Sequence, residues 1–262
     1  MKLLGMQSET IGESVLCRSY KEGYMSVLIV VSHPDDEVLG CGATAAWFAS
    51  QGVPVTSCIL SGEVTVRQNR PELDRLKQET CMAQQILGLR PPILGSFPNI
   101  EFNTVSHLEI VRFIEAALIE TSADVIFTHD PGDLNNDHRV TSHACQVAAR
   151  LWQRRPDVLP LRALFFMEVL SSTEWVFAGN GHSFTPDAFF PAGETLEKKV
   201  KALSEYSGVM RPLPHPRSRE VIYGLAAYRG SQSGLPYAEA FRTAFRSYTS
   251  AVNFSDTSII EG

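Results

Sequence analysis

The chain has 262 residues, 44% of them hydrophobic and 20% charged, which is enough to bury a sizeable core in one α/β domain. A net charge of -6 leaves no large basic field, so we expect neither nucleic acid nor a membrane as a partner. No apolar run reaches the roughly 18 to 20 residues that cross a bilayer, and no signal peptide is evident, which predicts a cytoplasmic protein. The five cysteines show no CxxC spacing and predict buried free thiols in a reducing compartment.

Aliphatic runs alternate with amphipathic segments along the first 170 residues. The runs predict strands at 26–32, 54–60, 92–97, 123–129 and 161–170. The amphipathic segments predict helices at 38–50, 70–88, 106–120 and 138–152, with Gly52 and Gly88 ending the first two. This order is typical of a Rossmann-like, doubly wound α/β fold with a mostly parallel sheet and helices on both faces. Ligands then bind at the carboxyl ends of the strands.

The two ends of the chain are less regular than its middle. Residues 171–262 predict a C-terminal helical appendage that lines the substrate pocket, with helices at 193–206, 217–228 and 237–248. Residues 1–24 are polar and weakly patterned, which favours a disordered extension or a start codon upstream of the natural one. We therefore expect one domain at 25–262 with its core at 26–170.

One histidine and three consecutive acids follow the first predicted strand, in the stretch SHPDDEVLGCG at 32–42. They are His33, Asp35, Asp36 and Glu37. Buried like charges at the ligand-binding edge repel one another unless a cation or hydrogen bonds compensate, so a metal is the simplest explanation. The alternative is a solvated acidic turn that caps the next helix.

A second polar cluster, THDPGDLNNDHRVTSHA at 128–144, follows the fourth predicted strand. Strands one and four are usually neighbours in a doubly wound sheet, which would bring Asp137 and His138 beside the first cluster. Two imidazoles and one carboxylate form a catalytic zinc site that keeps one position open. Asp137 can also cap the following helix, which is compatible with the metal site. The remaining histidines are expected at the surface or in the core: His107, His129, His143 and His182.

The motifs HPDDE and NNDHR, about a hundred residues apart, resemble those of the PIG-L / LmbE-like zinc de-N-acetylases. Four later stretches resemble the bacterial branch that acts on amino sugars: MEVLSSTEW (167–175), LEKKVKALSEY (196–206), PHPRSRE (214–220) and RGSQSGLPYAEAF (229–241). The resemblance therefore extends over roughly residues 26 to 245.

The resemblance implies a role for each matching residue. The metal ligands are His33, Asp36 and His138, and Asp35 is the general base that takes a proton from zinc-activated water. Some family members carry a catalytic histidine where this chain has Asn135. An asparagine can donate a hydrogen bond to substrate but cannot become cationic, so His215 is the candidate for the charged group.

Other polar residues near these motifs are candidates for supporting or substrate-binding roles. Glu37 is expected to orient a neighbour or to cap the following helix, and Asp137 is expected to orient its neighbour. Arg67, in the loop after the second strand, and Arg217, in a Pro-flanked loop, can clamp a sugar hydroxyl or phosphate. An exposed, charged helix start is an equal alternative for Arg67.

The predicted activity is hydrolysis of an N-acyl, chiefly N-acetyl, group from an amino sugar or a nucleotide- or glycoside-linked amino sugar, by a homo-oligomeric zinc enzyme. One alternative is a magnesium-dependent phosphohydrolase, since consecutive acids also suit a hard cation, although histidine ligands favour zinc. Another is a non-catalytic sugar-binding homologue. Asn135 supports this alternative, whereas the presence of Asp35 argues against it.

Overall fold

The computed structural model describes residues 25–62, 73–177 and 183–248, in which one seven-stranded sheet lies between two layers of helices. The strands are β1 (Val27–Val31), β2 (Val55–Ile59), β3 (Ile93–Leu94), β4 (Val125–His129), β5 (Ala163–Met167), β6 (Ala188–Pro191) and β7 (Ala238–Arg246). The α-helices are α1 (Asp36–Ser50), α2 (Leu73–Leu87), α3 (His107–Thr121), α4 (Asn136–Ala148), α5 (Leu196–Glu205) and α6 (Arg219–Ser233). Short 3₁₀ helices span Phe102–Thr104, Leu151–Gln153 and Thr173–Trp175.

The strand order is β3-β2-β1-β4-β5-β7-β6. Strands β1 to β5 are parallel, and β1 lies between β2 and β4, with Val27 opposite both Val55 and Val125. The predicted neighbouring of the first and fourth strands is therefore confirmed. Their carboxyl ends, each followed by a polar motif, meet at one edge of the sheet.

Alternate residues of the fully buried strand β1 face opposite layers. Val27, Ile29 and Val31 pack into a core formed with α1, α2, α5 and α6. Leu28 and Val30 pack into the core formed with α3 and α4. Burial on both faces explains the unbroken run of β-branched and aliphatic residues, and the predicted doubly wound fold is confirmed.

The C-terminal region differs from its prediction because residues 237–248 do not form a helix. They contain β7, which pairs antiparallel with β5 on one side and with β6 on the other. Alanine, glutamate and arginine favour helices locally, but pairing on two sides and complete burial of Phe241 outweigh that preference. The region therefore supplies two strands to the sheet as well as α5 and α6.

Two glycines end helices as predicted. Gly52 and Gly88 have φ of 77° and 80°, in the left-handed region where a Cβ atom would be strained. Of the described cysteines, all free, Cys81 is exposed, contrary to expectation, because it lies on the outer side of α2. No helix in the described segments is long and apolar enough to cross a bilayer.

Candidate active site

The first motif forms a tight turn between β1 and α1. Asp35 precedes the helix with φ of 104°, a conformation that is rare for a residue with a side chain. His33, Asp35 and Asp36 are at most 2% exposed. Backbone strain at a buried, charged turn is typical of a functional site.

The turn brings together the three predicted metal ligands. His33, Asp36 and His138 each offer one ligand atom, and these atoms lie within 4.8 Å of one another. Asp36 Oδ2 lies 3.2 Å from His33 Nδ1 and 3.2 Å from His138 Nε2. The three atoms thus converge on one point from the turn after β1, the start of α1 and the first turn of α4.

A carboxylate lies behind each of the two imidazoles. Asp137 Oδ2 is 3.0 Å from His33 Nε2, and Asp133 Oδ1 is 3.2 Å from His138 Nδ1. Metal-binding histidines usually have such a partner on the second ring nitrogen, which fixes the tautomer and the ring orientation. The donor set and this support fit a divalent transition metal such as zinc.

Each supporting carboxylate is itself held by hydrogen bonds. Asp137 accepts the backbone N–H groups of Ile100 at 2.6 Å and Phe102 at 3.1 Å. Asp133 accepts the hydroxyls of Ser172 and Thr173, the latter at 2.7 Å. Loops after β3 and β5 are therefore anchored to the same centre.

The cap of α4 is Asn135, not Asp137. The Asn135 side chain accepts the backbone N–H of Asp137 at 2.9 Å, as is typical of an N-cap asparagine. The proposal that Asp137 caps this helix is wrong, because its carboxylate is turned towards His33. A contact of Asn135 with substrate stays a prediction.

The cluster carries strongly shifted pKa values. Burial alone raises the pKa of Asp36, but the charges and hydrogen bonds of His138 and His33 outweigh it and hold the pKa well below its usual range. Burial likewise lowers the pKa of His138, but Asp36 and Asp133 outweigh this effect and raise the pKa to about 10. Because a histidine binds a metal through a neutral imidazole, a metal at this site would take the place of the proton on His138.

His129 lies beside this cluster without the geometry of a ligand. Its ring stacks on His138 with centroids 3.9 Å apart, and its Nε2 accepts the backbone N–H of Ser32 at 2.9 Å. Burial and then the charge of His138 lower the pKa of His129 to about 3. It is a neutral core histidine, as expected. His107 and His143 stack on each other, and His182 lies outside the described residues.

Glu37 stabilises the strained turn through hydrogen bonds to its carboxylate. Its carboxylate accepts the backbone N–H of Asp35 at 3.0 Å, the Gln84 amide at 2.9 Å and the Tyr206 hydroxyl at 2.5 Å. Burial raises the pKa of Glu37 to about 8, although the Tyr206 hydrogen bond opposes the shift. These contacts fix the backbone that presents Asp35.

The loop between α5 and α6 reaches over the turn. Arg217 Nη1 donates to Asp35 Oδ2 at 3.0 Å, and Arg217 Nε donates to Ser171 at 2.7 Å. The backbone N–H of Arg217 donates to His215 Nδ1 at 3.1 Å. The roles predicted for Arg217 and His215 stay predictions, and Arg67 lies outside the described residues.

Sequence reasoning missed Asn99, in the loop after β3. Its side chain is 1% exposed, and within the described segments neither its Oδ1 nor its Nδ2 atom has a hydrogen-bond partner. The next residue, Ile100, has φ of 69° and is anchored on Asp137. The available signal was a polar residue in the loop that follows β3. A buried amide without partners is costly, which suggests that a ligand completes it.

Comparison with known proteins gives a family match over much of this centre. Residues 28–149 match the family described as PIG-L: GlcNAc-PI de-N-acetylase. The "uncharacterized deacetylase YaiS" of Escherichia coli K12 is 26% identical over 132 residues, which are 47% of this chain and 68% of that protein. The predicted resemblance is confirmed.

Solved structures share the fold at low identity. N,N'-diacetylchitobiose deacetylase of Pyrococcus horikoshii superimposes with a TM-score of 0.66 at 19% identity, covering 89% of this chain and 88% of that one. GalB of Pseudomonas putida KT2440, a 4-carboxy-2-hydroxymuconate hydratase, also reaches 0.66, at 20% identity, covering 87% and 100%. Since these proteins differ in reaction, the fold alone does not identify the chemistry.

Proposed function

Because residues 28–149 match the PIG-L family, we propose that the protein is a zinc-dependent hydrolase that removes an N-acetyl group from an amino sugar. One observation carries the proposal. The converging ligand atoms of His33, Asp36 and His138 lie beside a second buried acid, Asp35, which is not one of the three ligands.

The two neighbouring aspartates divide the chemistry between them. A zinc ion held by these ligands would polarise an acyl carbonyl and lower the pKa of water towards ~7. Asp36 stays ionised as a ligand because two imidazoles contact its Oδ2 atom. Asp35 accepts the proton of the attacking water and returns it to the departing amine.

The residues around Asp35 keep its carboxylate in place during this transfer. Glu37 holds the Asp35 backbone, and Arg217 holds its Oδ2 atom. A positioned base avoids the entropic cost of finding the water in each turnover. His215 and Asn135 remain our proposals for groups that contact the polarised carbonyl or the substrate.

An amino sugar has the hydrogen-bond donors and acceptors that the Asn99 side chain needs as partners. A buried amide offers one acceptor and two donors, which match a sugar hydroxyl or the N–H and carbonyl of an acetamido group. Arg67 remains a proposed contact for a further substrate hydroxyl or phosphate. N,N'-diacetylchitobiose is a sensible first substrate, because the structural neighbour from P. horikoshii is described as a deacetylase of this sugar.

A mass-spectrometric screen tests the proposal. The zinc-loaded protein is incubated with N-acetylated and N-formylated amino sugars, free, nucleotide-linked and glycoside-linked, with Asp35→Asn as the control. We expect loss of the acyl mass and release of the acid with the natural chain only. Absence of deacylation would contradict the proposal. Hydration of an unsaturated acid, assayed in parallel, would then show a GalB-like hydratase, and binding of an amino sugar without turnover would show a sugar-binding homologue.

A further inference from the structure

Five large apolar side chains are exposed on the loops around the candidate active site. We call this set the apolar rim: Ile100, Leu134, Trp175, Phe177 and Leu213. Each is between 44% and 61% exposed. Single exposed apolar residues are normal on protein surfaces, so the shared position is what needs an explanation.

Each member of the apolar rim lies at the edge of the sheet where the metal ligands lie. Ile100 follows β3, Leu134 follows β4, and Trp175 and Phe177 follow β5. Leu213 lies in the loop whose Arg217 reaches Asp35. The apolar rim therefore lies on the loops at the same edge of the sheet as the buried, charged centre.

Hydrogen bonds join these loops to one another and to the centre. Asp133, next to Leu134, accepts the Thr173 hydroxyl at 2.7 Å, two residues before Trp175. Arg217 donates to Ser171 at 2.7 Å, and Ile100 donates to Asp137 at 2.6 Å. The apolar side chains are thus presented by anchored loops that are continuous with the site.

The chemistry of the apolar rim differs from that of the centre. An N-acyl group must reach the buried ligands His33, Asp36 and His138, so the rim can contact only the far end of the same substrate. The aliphatic members Ile100, Leu134 and Leu213 offer no hydrogen bond to sugar hydroxyls, whereas they gain free energy by removing another apolar surface from water. The far end of the substrate should therefore be apolar.

We propose that the apolar rim binds an apolar aglycone, so that the preferred substrate is an N-acetylated amino sugar linked to an alkyl or aromatic group. The amino-sugar half of this inference rests on the proposed function. The aglycone half rests only on the position and exposure of the rim.

The first experiment compares the methyl and hexyl β-glycosides of N-acetylglucosamine as substrates. We expect kcat/KM to be at least ~10-fold higher for the hexyl glycoside, because several methylene groups leave water at the rim. Trp175→Ser and Leu213→Ser should each bring the ratio towards one. Met82→Ser, which changes a residue 51% exposed on α2, is the matched control and should keep it. Equal rates on both glycosides overturn the proposal.

The second experiment separates the rim from the chemistry. Hexyl and methyl β-glucosides lack the acetamido group, so calorimetric titration of the protein with each measures the rim alone. Tighter binding of the hexyl glucoside, lost in Trp175→Ser, supports the proposal even if no glycoside is deacetylated, in which case the proposed function is what fails. If neither glucoside binds and Trp175→Ser instead dissociates an oligomer, the rim is a subunit contact and the proposal is overturned.

Discussion

The Arg217 guanidinium bridges Asp35 and Ser171, with its Nη1 atom 3.0 Å from Asp35 Oδ2 and its Nε atom 2.7 Å from Ser171 Oγ. The side chain of the proposed general base, Asp35, is therefore held by the loop between α5 and α6, which is distant in sequence. Glu37 holds the Asp35 backbone. Asp35 has little freedom to turn away from the metal ligands.

Arg217→Ala should lower kcat by about 10²-fold, since a small misplacement of a reacting group costs about this much. Zinc content should stay unchanged, because Arg217 contacts no ligand atom of the metal cluster. Steady-state kinetics with metal analysis measures both. Arg219→Ala is the matched control, since Arg219 is exposed and pairs with Glu197 on the surface.

The balance between kcat and KM distinguishes two roles for Arg217. A fall in kcat with little change in KM shows that it positions Asp35. A higher KM with unchanged kcat would contradict this and would show that Arg217 binds the substrate, as the sequence alone suggested.

Asp35→Asn and Asp36→Asn should separate catalysis from metal binding. Asp35→Asn keeps the shape of the side chain but removes the basic oxygen, so zinc stays bound while kcat falls by ~10² to 10⁴. Asp36→Asn removes the charge that offsets the cation, so zinc affinity itself falls. Zinc content and deacetylation rate are measured for both at limiting and saturating zinc.

Added zinc should restore part of the activity of Asp36→Asn and none of that of Asp35→Asn. The reverse result would exchange the roles of the two residues. A near-natural rate for Asp35→Asn with zinc bound would remove it from the mechanism.

The sequence predicted the centre of the site well because its signals are local. HPDDE and NNDHR each follow a buried strand, and parallel pairing of β1 with β4 brings two strand ends together. The same reasoning could not find Asp133 as the partner of His138. That contact depends on how the loop folds back, and Ser172 and Thr173 fix the loop from beyond β5.

Other features depend on contacts that no local pattern records. Residues 238–246 read as a helix, and only pairing with both β5 and β6 makes them a strand. Arg217 reaches Asp35 because α6 and its preceding loop pack over the sheet edge, and spacing does not predict this. In the sequence, Asn99 is a single polar residue in a loop. Only the structure shows that its side chain is buried without a hydrogen-bond partner.

Asp133→Asn and Asp137→Asn should each weaken zinc binding by about 10- to 100-fold, because each removes the carboxylate behind a ligand imidazole. His33→Ala and His138→Ala, which remove the ligands themselves, should lose zinc almost completely. Competition with a chromophoric chelator measures all four affinities.

Asp157→Asn is the matched control for these variants, since Asp157 is exposed and pairs only with Arg155 among the residues that contact its side chain in the described segments. Full zinc affinity in Asp133→Asn would show that the Asp133 contact to His138 has no effect on the metal.

The last prediction concerns the buried ion pair that anchors α1, the helix that begins at Asp36. Lys199 Nζ donates to Glu239 Oε1 and to the Leu39 carbonyl, each at 2.7 Å, and Glu239 accepts the backbone N–H of Thr44 at 2.6 Å. Both charged side chains are 7% exposed. Lys199→Met leaves the Glu239 charge buried without its cation, which should lower the free energy of unfolding by about 3 to 5 kcal/mol.

Urea denaturation in the presence of a chelator measures this loss without a contribution from bound metal. Lys198→Met is the matched control, because the neighbouring side chain is exposed on the same helix and its removal should change stability by no more than about 0.5 kcal/mol. Lys199→Met is destabilising because the two partners are affected differently. Methionine replaces the lysine with an apolar chain of similar length, whereas Glu239 keeps a buried negative charge. An unchanged urea midpoint for Lys199→Met would mean that the backbone N–H groups of α1 alone compensate Glu239, and that the ion pair does not hold this helix against the sheet.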